Sequence, residues 1–190
     1  LACELVVPPD WLAEIGADAL KRQFARTPYA VSFKAGALTF ILVTLHVAFG
    51  DPATDRLPEL KGIARWLAQW AKRESDWTHR LIALGDFNID RRGDPLWQAF
   101  VSTGLTAPDE LNSVPRTVFD AGKASDTAHF YDQIAWFPSA PGTTAGALDY
   151  RAARYFDFCP HVYGDQSLSR QALSYRVSDH YPLWVEFARG

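Results

Sequence analysis

Apolar residues in this chain come in short, dense runs separated by proline, glycine and charge. Residues 28–33 (PYAVSF) and 37–47 (ALTFILVTLHV) are rich in β-branched and aromatic residues, and the KAG between them carries a turn glycine. Together they predict an antiparallel hairpin. Residues 40–45 are apolar at nearly every position, which predicts a strand covered on both faces. From Pro58 to about Arg73 the rhythm changes. Leu60, Ile63, Ala64, Leu67, Trp70 and Ala71 fall at helical spacing, with Lys61, Arg65, Gln69 and Lys72 outside it. Pro58 suits the first turn of that helix.

The same reading continues along the chain. RLIAL (80–84) is a short buried strand that stops at Gly85, and PLWQAFVSTG (95–104) is a helix closed by Gly104. Residues 106–129 read as loop. YDQIAWF (131–137) is a strand, 138–147 is loop, and 149–158 is ambiguous. Residues 165–178 read as helix and loop, and YPLWVEF (181–187) alternates as a final strand. Near the start, CELVV (3–7) is a short strand stopped by two prolines, and 10–25 is a helix with Asp10 as its N-cap. Strands interleaved with helices, and one hairpin among them, predict an α/β layered domain built on a mixed sheet.

Composition narrows the class. The 190 residues suit a single domain over 1–190, and 48% apolar with 22% charged residues is globular rather than disordered. The formal charge of -3 shows no basic footprint for nucleic acid at the level of the whole chain. Cys3 and Cys159 are too few for a disulfide framework and read as reduced thiols. No apolar run approaches about 18 residues and no leader pattern stands at the start, so no membrane segment is expected and no compartment is indicated.

Candidate chemistry enters at the strand ends. The run 37–45 ends at His46. The run 80–84 ends at Gly85, Asp86 and Asn88. The strand 131–137 opens with Asp132 and Gln133, and the last strand follows Ser178, Asp179 and His180. Each polar residue alone has a structural explanation as a turn, a cap or an edge charge. Jointly they supply what metal-assisted phosphoester hydrolysis needs: carboxylates for a hard cation, a base for water, and donors for developing negative charge.

VTLH, ALGDFNID, YDQIAW and VSDHYPLWVEF, in that order, resemble the endonuclease/exonuclease/phosphatase superfamily, which includes pancreatic-type DNases and abasic-site endonucleases. ARTPYAVSF resembles the segment before the hairpin in the DNase-like branch. The match runs from about Arg26 to Phe187. The resemblance implies a four-layer α/β sandwich, two mixed β-sheets face to face with helices outside, and an active site at one rim. It implies that Asp86 orients or deprotonates the attacking water and that Asn88 donates its amide to phosphoryl oxygens. Asp179 would bind metal, and His180 would serve in acid–base or phosphate-binding work. Asp132 would fix and charge the His180 ring. His46 would be a general acid or phosphate ligand, and Arg26 a phosphate-binding residue. The implied cation is Mg²⁺ or Mn²⁺, and the Asp179–His180 pair is expected in a loop just before Tyr181.

One family feature is missing. An early asparagine and a metal-binding glutamate have no match in residues 1–25, which implies a C-terminal portion lacking the first strands. A sheet face left incompletely covered could then be buried by self-association. Substrate stays open at this level. A nuclease is favoured, a phosphatase or phosphodiesterase on small or lipid phosphoesters is the alternative, and a truncated binding domain without catalysis is the third reading. Arg91 and Arg92 could touch flanking phosphates or be solvated loop residues. Trp97 and Trp136 are expected in the core rather than on bases.

Overall fold

The computed structural model describes residues 2–4, 26–50, 52–72, 80–124, 128–138, 148–164 and 166–188, with side chains described from residue 26 onward. The main sheet has five strands in the order β1 (Ala2–Glu4), β2 (Tyr29–Ala35), β3 (Leu38–His46), β4 (Leu81–Asp86) and β5 (Asp132–Trp136). Neighbours pair antiparallel except β3 and β4, which run parallel, so the sheet is mixed as expected. A second sheet holds β6 (Tyr150–Tyr155) and β7 (Leu183–Phe187), paired antiparallel with an irregularity near Ala152. Two sheets with helices match the expected architecture, but among the described residues the second sheet is an antiparallel pair, not a mixed sheet. The helix expected over 10–25 and most of the strand expected over 3–7 lie outside the described residues.

Helix α1 (Leu57–Lys72) follows from its apolar stripe: Leu60, Ile63, Ala64 and Leu67 are buried, joined by Trp66 and Ala68. Helix α2 (Pro95–Val101) starts at Asp94, whose Oδ1 accepts from Trp97 N at 2.7 Å, with Pro95 in the first turn. Both helices cover one face of the main sheet, where Ile41, Val43, Leu45, Leu81, Ala83 and Ala135 join their buried side chains in one core. Helix α3 (Arg170–Arg176) precedes β7 and is tied to an earlier loop by Arg170 Nη1, which donates to Val118 O at 3.2 Å. The expected roles of Trp97 and Trp136 hold: the first packs against this core, and the second is buried against Tyr150 and, edge to face, Phe187 of the second sheet.

Two expectations need correction. β3 is not covered on both faces. Ile41, Val43 and Leu45 are buried against the helices, while Phe40 and Leu42 on the opposite face are half-buried and Thr44 is exposed. The reason is that β6 and β7 lie over the β5 side and leave the β2–β3 side open, with Tyr29 52% and Phe33 44% exposed. Phe33 and Phe40, cross-strand partners, stack with centroids 5.6 Å apart and hide part of that face from water.

Nor does β4 stop at Gly85. It continues through Gly85, paired with Leu45, to Asp86, paired with His46. Gly85 sits at φ +136°, and a Cβ there would overlap the carbonyl oxygen of Leu45. Glycine is therefore required by the close approach of β3, and the strand carries on to deliver Asp86. Gly85→Ala should cost about 3 kcal/mol or more in urea denaturation, because both backbone strain and overlap oppose it. Gly104→Ala, at φ +99° with open space around the added methyl, should cost about 1 kcal/mol.

Candidate active site

The strand registers assemble the site. His46 lies opposite Asp86 across β3–β4, and Asp86 lies opposite Asp132 across β4–β5. These three side chains form one row across three strands, on the face away from α1. His46 Nε2 is 3.5 Å from Asp86 Oδ2. His180 comes from the other side of the cleft. It pairs through its backbone with Thr117, and its Nδ1 is 2.6 Å from Asp132 Oδ2. Asp179 and His180 lie in the short segment before Tyr181, as expected, with His180 N donating to Ser178 Oγ at 3.0 Å.

Asp86 and Asn88 are locked by a local turn. Asn88 N donates to Asp86 Oδ1 at 2.9 Å, and Asn88 adopts φ +49°, a left-handed conformation that asparagine tolerates. Asn88 Nδ2 donates to Val47 O at 2.8 Å, which engages one of its two amide hydrogens. The backbone oxygen of Asn88 accepts from Arg56 Nη1. Arg56 is itself buried and grips Asp90 with both terminal nitrogens, at 2.7 and 3.2 Å. A bidentate pair of this kind fixes the turn from behind.

Electrostatics raises both Asp86 and His180, for different reasons. Burial raises the Asp86 pKa, the Asn88 N–H opposes that, and the charge of Asp132 adds to it. His180 is pushed up to about 9, chiefly by its hydrogen bond to Asp132 and against the effect of burial. Arg116 backs the pair. It is fully buried, donates Nε to Asp132 O at 2.7 Å and Nη1 to Leu111 O and Val114 O, and lies over the Phe130 ring. Burial lowers its pKa to about 10, with Asp132 opposing that shift.

His46, Asp86, Asn88, Asp179 and His180 line one open pocket of about 460 Å³. Asp132 stands behind His180. Arg26 is not among the lining residues: its Nη1 donates to Val47 O at 3.3 Å, the carbonyl that also receives Asn88. Arg91 donates to Asp90 O and Ala128 O, and Arg92 makes an exposed ion pair with Asp109 at 3.8 Å. Cys159 is a free thiol 3.8 Å from the Tyr181 hydroxyl. The pocket wall also contains Phe49, Thr117, Phe119, His129 and Tyr131, and the support behind it contains Arg56, Arg116 and Asp120, none of which the strand-end pattern singled out.

The sign of the His180 shift gives a stability test in the metal-free protein. A raised folded-state pKa stabilises the fold fully below the unfolded value, about 6.5 for histidine, and that contribution is lost as pH rises through about 9. The stability gap between the natural protein and Asp132→Asn should therefore be widest near pH 6 and shrink toward pH 10. The His180 ring proton, followed by NMR in EDTA, should titrate near 9 and move toward the ordinary histidine range in Asp132→Asn.

No family model matches the chain. A deoxyribonuclease from Thioalkalivibrio sp. (strain K90mix) is 26% identical over 170 residues, covering 87% of this chain and 44% of the relative, so the chain spans under half of that protein's length. The structure of D. rerio TDP2 complexed with single-strand DNA product superposes over 100% of this chain and 67% of its own, with TM-score 0.60 and 14% identity. An endonuclease/exonuclease/phosphatase family protein from Leptotrichia buccalis C-1013-b superposes over 86% of this chain and 55% of its own, with TM-score 0.50 and 16% identity. The described part of this chain thus has the fold of the endonuclease/exonuclease/phosphatase proteins, the family its strand-end motifs resemble.

Proposed function

We propose that this chain carries the hydrolytic rim of a metal-dependent phosphodiesterase acting on nucleic acid. One observation carries the reading: His46, Asp86 and Asp132 stand in a single row across β3, β4 and β5, and His180, in the segment before β7, closes on Asp132. The deoxyribonuclease relative and the DNA complex of the TDP2 neighbour favour nucleic acid as substrate.

Each residue then has a task. Asp86, a carboxylate made more basic by burial, takes a proton from the attacking water as its oxygen bonds to phosphorus. His180, charged at neutral pH through Asp132, donates to a phosphoryl oxygen or to the leaving oxygen as the phosphorus–oxygen bond breaks. His46, beside Asp86 and half exposed, provides a further donor at the mouth. Asn88 offers its remaining amide hydrogen to the developing charge. Arg26 reaches the flanking phosphate only if its guanidinium leaves Val47 O.

The donor set fits a hard divalent cation in kind. Asp179 and Asp86 present carboxylate oxygens to the same pocket, and Mg²⁺ is commonly held by one or two carboxylates with waters and substrate phosphates. Among the described residues, no three His, Cys, Asp or Glu side chains converge as a ready cluster. Asp179 would hold Mg²⁺ or Mn²⁺, which would neutralise charge on the phosphoryl oxygens.

The test uses the protein at its natural length with Mg²⁺ or Mn²⁺, plasmid DNA and a simple aryl phosphodiester. DNA should be cut, and Asp86→Asn and His180→Ala should each lose about 10²–10⁴-fold in kcat with an unchanged circular dichroism spectrum. Near-normal turnover in either variant overturns the role given to that residue. Ester hydrolysis without DNA cleavage moves the substrate to small or lipid phosphoesters, and turnover of neither leaves a binding domain.

A further inference from the structure

The pocket holds a second imidazole anchored by a carboxylate. His129 Nδ1 is 3.0 Å from both oxygens of Asp120, whose side chain is fully buried. Thr117 Oγ1 and Lys123 Nζ also donate to Asp120, at 2.7 and 2.9 Å. Burial pushes the Asp120 pKa up, but the bonds from Thr117, Lys123 and His129 outweigh it and hold the carboxyl below its usual range. The His129 ring stacks on Tyr131 with centroids 4.6 Å apart, and Tyr131 stacks on His180 at 6.0 Å. The loop is fixed to the site by backbone bonds. Val118 N donates to Asp179 O and Tyr181 N to Arg116 O, each at 2.8 Å.

We propose that His129 binds a second phosphate of the substrate, next along the strand from the one being cleaved. This rests on the phosphodiesterase reading and adds that the site selects a chain of nucleotides over a lone phosphoester. Nδ1 is committed to the buried Asp120 and the residue lines the pocket, so Nε2 is the ring nitrogen left for a ligand there. A ring needed only to satisfy Asp120 would have no cause to line the pocket, since Thr117 and Lys123 already serve that carboxylate. An anion at Nε2 favours the imidazolium, in which both nitrogens donate. His129 and His180 both stack on the Tyr131 ring, so the two imidazoles are neighbours along one wall of the pocket. Phe49 and Phe119, 71% and 44% exposed on the same pocket, offer faces to the intervening base.

The experiment separates the two nitrogens. Asn at 129 keeps a donor near Nδ1 and removes Nε2, whereas Gln places an amide near Nε2 and gives up the Asp120 bond. Calorimetry in EDTA compares 5′-phosphorylated dithymidylate, with two phosphates, against thymidine 5′-monophosphate, with one. The natural protein should prefer the dinucleotide by about tenfold, the worth of one charge-assisted hydrogen bond. His129→Asn should cut that preference below about twofold while keeping the melting temperature, and His129→Gln should restore part of it. An undiminished preference in His129→Asn overturns the proposal, as does an equal loss for both ligands or the lack of any preference in the natural protein. Cleavage of DNA with any of those results removes only this inference, whereas failure to cleave any phosphodiester removes the function it rests on.

Discussion

The contact between Asp132 and His180 ties the main sheet to the second one, and the site depends on it. Asp132 opens β5, and His180 lies just ahead of β7 on the other side of the cleft. At the far end of the same two strands, Trp136 meets Phe187 edge to face with centroids 5.0 Å apart. An ionic clamp and an aromatic clamp thus hold the strands at their two ends. Between them runs a cleft of about 460 Å³ lined by apolar side chains such as Leu84, Ile134, Phe158 and Leu183. An apolar cleft raises the worth of the charged contact at its mouth, because fewer waters compete for the two partners. The same low polarity makes an unpaired His180 or Asp132 costly, so the tie and the chemistry are hard to separate.

Two buried arginines show how the rest of the molecule serves this rim. Arg116 donates Nε and Nη1 to the carbonyls of Asp132, Leu111 and Val114, and Arg56 donates Nη1 and Nη2 to Asn88 O and the Asp90 carboxylate, while Arg116 Nη2 and Arg56 Nε are buried without a hydrogen-bond partner among the described residues. Taking a guanidinium out of water is unfavourable unless its fork is met by acceptors. Here the acceptors are mostly backbone, so the cations fix the main chain at the residues that line or back the pocket. Arg56 also supplies positive charge behind the Asp86–Asn88 turn, and Arg116 does so behind Asp132.

Periodic segments were legible in the sequence because burial imposes their period directly. The stripe of α1 and the hairpin of β2 and β3 follow from that, and so do the polar residues that end each strand, since registers bring strand ends together. The two-sided reading of β3 failed because apolar composition reports what could be buried, not which neighbours are present to bury it. Arg56, Arg116, Asp120 and His129 were missed for another reason. They belong to turns and to the long segment between Leu105 and Tyr131, where no period announces which side chains turn inward. A signal was available there. A long stretch with little regular structure is uncommon unless it has work to do, and VFD and HFYD set charge beside aromatic residues within it.

The uneven cover of the main sheet follows from the same arrangement. Because both clamps grip β5, the second sheet sits over the β4–β5 side, and the outer face of β2 and β3 is left to Tyr29, Val31, Phe33, Phe40 and Leu42. The Phe33–Phe40 stack reduces the exposed area without covering it. The row of His46, Asp86 and Asp132 tolerates this asymmetry since its members lie at the strand ends, where β3, β4 and β5 are still held by the helices on the other face. His46 marks the boundary. Its backbone belongs to a strand buried on the helix side, yet its ring stands half exposed at the mouth of the pocket beside Asp86.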